Sequence, residues 1–205
     1  PWSTLQGLLH KYHIEQVSTL PPFQGGVLGY WSYDLGRHLE RLPSRAVDDL
    51  HLPEMYLGLY DWVLAYDSDT GRSYLFSTGL PQSTVEHAQI RAEEIMDRLK
   101  KEPEDTHPSA FASPTPLRSN FTPEAYMSAI ERIKEYLAAG DTYQVNLSQR
   151  FQSPFQEDPW RLYQRLRSSN PAPFAAYLGF QEVKVLSASP EEFLRLERGQ
   201  VRVRP

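Results

Sequence analysis

The sequence predicts an α+β chain of mostly antiparallel strands with helices packed on the sheet faces. Three observations carry that expectation. Runs rich in aromatic and β-branched residues come in pairs joined by turn residues, at 55–77, 174–189 and 193–203, which is hairpin spacing. Between them lie stretches of helical periodicity that open on Thr or Asp next to Pro. From Tyr143 to Gln152 the side chains alternate without a break, the period of a strand.

Taken in order, Ser3 is the expected N-cap of a short helix with Leu5, Leu8, Leu9 and Tyr12 on one face. Pro21, Pro22, Gly25 and Gly26 break the chain before a strand over 27–31, and 33–37 reads as a turn. Arg37 in that turn is either an anion clamp or, more simply, a partner of Asp34 or Glu40 that fixes the loop. One continuous strand over 55–67 is expected to pair with 72–77 across Asp67-Ser68-Asp69-Thr70-Gly71, whose acidic residues read as turn chemistry and not as a calcium loop. An amphipathic helix follows over 83–101, with Val85, Ala88, Ala92, Ile95, Met96 and Leu99 inward. Four prolines make 102–120 a linker between an N-terminal region, 1–101, and a second region, 121–205. His107 in the linker has no second ligand at chelating spacing.

Thr122 and Pro123 open the next helix, whose stripe is Tyr126, Ile130, Ile133 and Leu137. Gly140 is its expected left-handed stop. Asp158-Pro159 starts another helix, carrying Trp160, Tyr163 and Leu166 and ending at Asn170-Pro171.

Composition narrows the function. A net charge of −5 over 205 residues argues against a nucleic-acid binder, so an anionic ligand would need a local basic patch. The absence of cysteine removes thiolate nucleophiles, disulfides and Cys-based zinc sites. No apolar run approaches the roughly 20 residues of a membrane span, and no metal site is read from the residues themselves. A cytoplasmic location is expected, although a chain opening at Pro1-Trp2 does not display a native start. No Walker loop, dinucleotide fingerprint or Ser-His-Asp arrangement is present.

Two features stand out chemically. The even face of 143–152 presents Gln144, Asn146 and Ser148, directional donors and acceptors that either line a polar cavity or form an ordinary solvated sheet face. Glu191 follows a strand and a proline, which mounts its carboxylate at a strand end; it is either a catalytic acid/base or one more solvated carboxylate.

The stretch Gly140-Asp141-Thr142-Tyr143-Gln144-Val145-Asn146-Leu147-Ser148-Gln149-Arg150-Phe151 resembles a signature of the chorismate-utilising enzymes, on the branch of aminodeoxychorismate synthase component I. Three more segments resemble that family in the same order: Pro22 to Tyr30 running into Tyr33-Asp34-Leu35-Gly36-Arg37, then Pro173 to Leu178, then Ser187-Ala188-Ser189-Pro190-Glu191-Glu192-Phe193. The resemblance implies part of a two-sheet sandwich and the amination of chorismate to 4-amino-4-deoxychorismate on the way to 4-aminobenzoate and folate. It implies Mg²⁺ as cofactor and a glutamine amidotransferase subunit as ammonia-supplying partner. Glu191 matches the family's general acid/base, whereas Glu192 falls at a variable position. Pro173, Phe174 and Ala175 match its tryptophan-binding segment, with a buried hairpin start as the structural alternative.

By the same resemblance the nucleophilic lysine of Arg-Pro-Ile-Lys-Gly-Thr would follow two residues beyond Arg204-Pro205. The metal-holding carboxylates would follow later still. The segment on its own is therefore expected to be inactive. Anthranilate synthase component I is the sibling reading; Asn146 and Asp34-Leu35-Gly36-Arg37 favour the aminodeoxychorismate branch. A non-catalytic amino-acid-binding or partner-docking domain is the alternative from another class.

Overall fold

The computed structural model describes residues 1–101 and 116–204. It divides into two compact units, Pro1–Asp105 and Thr106–Pro205. Both are α+β with antiparallel pairing throughout, as the patterning predicts; His107 and most of the proline-rich stretch lie outside the described residues.

The first unit opens with helix α1 (Trp2–Lys11). Pro1, not Ser3, occupies the cap position, and no side chain caps the helix; Ser3 lies inside it, and Leu8 and Leu9 are exposed. Gln24, buried among the prolines, then ties the following loop: its Oε1 accepts from the Val17 amide, and its Nε2 donates to the Val17 and Pro21 carbonyls. Strand β1 (Gly26–Trp31) pairs with β2 (Met55–Tyr60), and β3 (Trp62–Asp67) pairs with β4 (Arg72–Ser77). The expected single strand over 55–67 is thus two. Asp61 is the break: its carbonyl accepts from both the amide and the hydroxyl of Thr78, and the chain passes there from one hairpin to the next.

Between β1 and β2 a 3₁₀ turn spans Tyr33–His38. Arg37 takes the simpler of its two readings: Nε and Nη2 donate to Asp34 Oδ1 at 3.1 and 2.9 Å, and Nη1 donates to the Pro43 carbonyl at 2.8 Å. Helix α2 (Val85–Leu99) is capped by Thr84, whose hydroxyl accepts from the His87 amide. It leans on β4, and Arg91 Nε reaches Asp61 Oδ2 at 3.0 Å. A bond to Glu94 and the nearby Asp61 carboxylate raise the Arg91 pKa further. Ile95 is buried, but Val85, Met96 and Leu99, towards the two ends of the expected inward face, are exposed.

In the second unit, β5 (Arg118–Ser119) pairs with β6 (Phe151–Gln152), so strand structure begins inside the segment expected to be loop. Helix α3 (Pro123–Ala139) has the predicted Thr122 cap and Pro at its first turn. It stops at Gly140 (φ 79°), where the Gly140 amide donates to the Leu137 carbonyl and the Asp141 amide to that of Tyr136, a Schellman closure. Helix α4 (Pro159–Ser169), capped by Asp158, packs on the hairpin of β7 (Phe174–Gly179) and β8 (Lys184–Ser189). Trp160, Tyr163 and Tyr177 meet there with ring centres 5.2–5.6 Å apart, and the Trp160–Tyr177 pair is edge-to-face. The hairpin of β9 (Glu192–Glu197) and β10 (Gln200–Arg204) follows.

The alternating stretch departs most from expectation. Residues 143–150 have no regular structure, and only Phe151–Gln152 form a strand. Alternation supplies two faces, but a strand also needs a neighbour to complete its hydrogen-bond ladder. Among the described residues that neighbour reaches only to Asn120, which bonds Arg150 in both directions.

Candidate functional site

The second unit brings two of the expected site segments to one end of the β7–β8 hairpin. Its register sets Phe174 opposite Ser189 and Ala175 opposite Ala188, so 173–175 begin one strand where the turn carrying Glu191 leaves the other. Pro173 is exposed, Phe174 and Ala175 are half-buried, and the Ala175 amide donates to the Ala172 carbonyl. Gln144, Asn146 and Ser148 are exposed and project from the irregular segment.

Glu191 occupies the bend between β8 and β9. Pro190 restricts its approach, and the Ser189 hydroxyl donates to the Glu191 carbonyl at 3.1 Å. The Glu191 carboxylate is exposed and takes no bond from any described residue. A carboxylate on a fixed turn with its acceptor sites open can receive or deliver a proton to a bound molecule.

The neighbouring Glu192, set aside at the variable position of the motif, is the residue that sequence reasoning missed. It is 9% exposed and bonded to Arg195 at 2.7 Å, with Arg202 at 4.0 Å. Strand alternation sends residues 192 and 195 to opposite faces, so no sequence pattern signalled the pair. Along the same hairpin a cavity of about 560 Å³ is lined by Arg195, Arg198 and Arg202, together with Glu197, Gln200 and Val201. It is a local basic patch in a chain of net negative charge.

No three His, Asp or Glu side chains cluster among the described residues, so these carboxylates by themselves form no enclosed site for Mg²⁺. No helix among them is long and apolar enough to cross a membrane.

The comparisons with known proteins agree with this architecture. The sequence pattern of the family described as chorismate binding enzyme matches residues 2–205. The chain belongs to that family. It is similar to aminodeoxychorismate synthase component 1 of Klebsiella aerogenes, 38% identical over 90% of this chain and 38% of that protein. It is also similar to anthranilate synthase component 1 of Aquifex aeolicus (strain VF5), 35% identical over 100% of this chain and 43% of that protein. The crystal structure of anthranilate synthase component I from Streptococcus pneumoniae TIGR4 shares the fold, with a TM-score of 0.84 and 23% identity over 96% of this chain and 46% of that one. The chain thus spans less than half the length of these relatives.

Proposed function

We propose that this chain is part of component I of an aminodeoxychorismate synthase, converting chorismate and ammonia to 4-amino-4-deoxychorismate. The observation that carries the reading is the turn at Ser189-Pro190-Glu191, where a family motif sets an unbonded carboxylate on a pinned backbone. Hydroxide is a poor leaving group, so loss of the chorismate hydroxyl needs a proton donor beside it. Glu191, protonated, supplies that proton: a nucleophile adds its electron pair to the ring as the C–O bond breaks, and water departs. The net exchange puts the ammonia nitrogen in place of the hydroxyl, with its surplus proton restoring the acid. The basic patch along β9–β10 suits a substrate that carries carboxylates. Ammonia comes from a glutamine amidotransferase subunit, in keeping with relatives named as component 1 of a synthase. The requirement for Mg²⁺ and the cytoplasmic location belong to the same proposal, the ion being held by carboxylates other than those described.

Anthranilate synthesis is the second reading, favoured by the comparable identity to component 1 of an anthranilate synthase. Asn146 and Asp34-Leu35-Gly36-Arg37 weigh toward the first. Product analysis of the full-length protein with chorismate, ammonia and Mg²⁺ separates them. 4-Amino-4-deoxychorismate is the expected product, anthranilate transfers the protein to the sibling branch, and unconsumed chorismate overturns both.

A further inference from the structure

Glu191 is held from both sides, and the second support is not visible in the sequence. In β9–β10 the register pairs Arg195 with Arg202 and Glu192 with Arg204. Phe193 and Leu194 therefore stand opposite Val203 alone, a bulge of two residues against one. The extra residue returns Glu192 to the face of Arg195, which is how Arg195 Nε comes to donate to Glu192 Oε1 at 2.7 Å. Arg195 and Arg202 are cross-strand neighbours, and two like charges there repel. The Glu192 carboxylate lies against both, with Oε2 buried, lacking a hydrogen-bond donor and 4.0 Å from Arg202 Nε. One residue earlier, Ser189 bonds the Glu191 carbonyl. The only carboxylate of the turn left unengaged is that of Glu191.

We propose that Glu192 is a positioning residue: the pair that its buried carboxylate makes with Arg195 at the bulge sets where the Glu191 carboxyl stands against the departing hydroxyl. This rests on the reading of Glu191 as the general acid. A group that only places another acts on the chemical step and not on substrate affinity.

The test is steady-state kinetics of the full-length protein. Glu192→Gln is expected to lower kcat roughly 10- to 100-fold while the KM for chorismate stays within about twofold. The charge swap Glu192→Arg with Arg195→Glu rebuilds the pair, with the new carboxylate opposite Arg202, and is expected to recover kcat to within about threefold of wild type. Arg195→Gln breaks the same pair from its more exposed side and stands in if Glu192→Gln fails to fold. Glu182→Gln, between β7 and β8 and outside both the pair and the basic cavity, leaves both constants unchanged. A folded Glu192→Gln or Arg195→Gln protein with kcat within about twofold of wild type overturns the proposal, as does a folded swap no faster than the single variants. Glu191→Gln run in parallel keeps the two claims apart. If it is crippled while Glu192→Gln is not, only the positioning role falls; if it stays active, the acid assignment itself has failed.

Discussion

Two carboxylates at turns, Asp67 where β3 turns into β4 in the first unit and Glu191 in the bend between two hairpins of the second, have opposite fates. Asp67 is consumed by its own turn. Its Oδ1 accepts from the amides of Asp69 and Thr70 at 3.0 and 3.4 Å, and its Oδ2 accepts from the Thr70 hydroxyl at 2.7 Å. The hydroxyl first, and then the Asp69 amide, hold its pKa below the usual carboxylate value. Glu191 sits on a turn held by other groups, the Ser189 hydroxyl and the Glu192–Arg195 pair, and its own oxygens stay open. Both are acids at strand ends, Asp67 half-buried as the last residue of β3 and Glu191 exposed just before β9, so position along a strand does not distinguish them. The difference lies in whether the turn needs the carboxylate to close. A turn built from neighbouring groups frees its acid for chemistry, and a turn built from the acid does not.

The sharpest way to break this comparison is to exchange each acid for its amide in the full-length protein. Glu191→Gln is expected to cut kcat by about 10²–10⁴ with chorismate binding preserved, the usual scale for loss of a general acid. Asp67→Asn leaves kcat unchanged. A Glu191→Gln protein keeping more than about a tenth of wild-type kcat, or an Asp67→Asn protein that loses activity without unfolding, dissolves the distinction.

Two glycines extend the comparison to stability. At Gly29 in β1 an added Cβ would lie 2.0 Å from the Tyr56 carbonyl oxygen across the ladder, so Gly29→Ala must push β1 off β2. A loss of about 1–3 kcal/mol is expected from the urea midpoint, the scale of overpacking against backbone that cannot yield. Gly140→Ala meets no atom, and only the left-handed backbone at φ 79° opposes it. Its cost should be the smaller, about 1–2 kcal/mol. If the two variants rank the other way, close approach between strands is not what fixes the first unit.

The smallest expected effect is the pH dependence of the Asp67 turn. Because the folded-state pKa is depressed, its contribution to stability is present above the ordinary carboxylate pKa and lost as pH falls through the folded value. An Asp67→Asn protein should therefore approach wild-type stability as the solution is acidified below about pH 4. An unfolding midpoint difference that stays constant across that range rejects this account of the turn.

The sequence by itself determined the parts whose physics is local. Thr122-Pro123 and Asp158-Pro159 start helices because their side chains satisfy free amides within one turn of chain, and Gly140 ends one because it lacks a Cβ. The 174–189 and 193–203 hairpins closed as read, since each strand finds its partner across a short turn. The Glu191 turn was legible for the same reason: strand, proline and acid are consecutive. Tertiary structure decided the rest. Residues 143–150 alternate like a strand and are not one, because ladder bonds depend on a neighbour that periodicity does not encode. Asp61 divides what reads as a continuous strand, because the Thr78 amide and hydroxyl bond to its carbonyl from across the hairpin. Glu192 and Arg195 share a face only because a bulge at Phe193-Leu194 shifts the register by one, and that shift is a property of two paired strands, not of either alone.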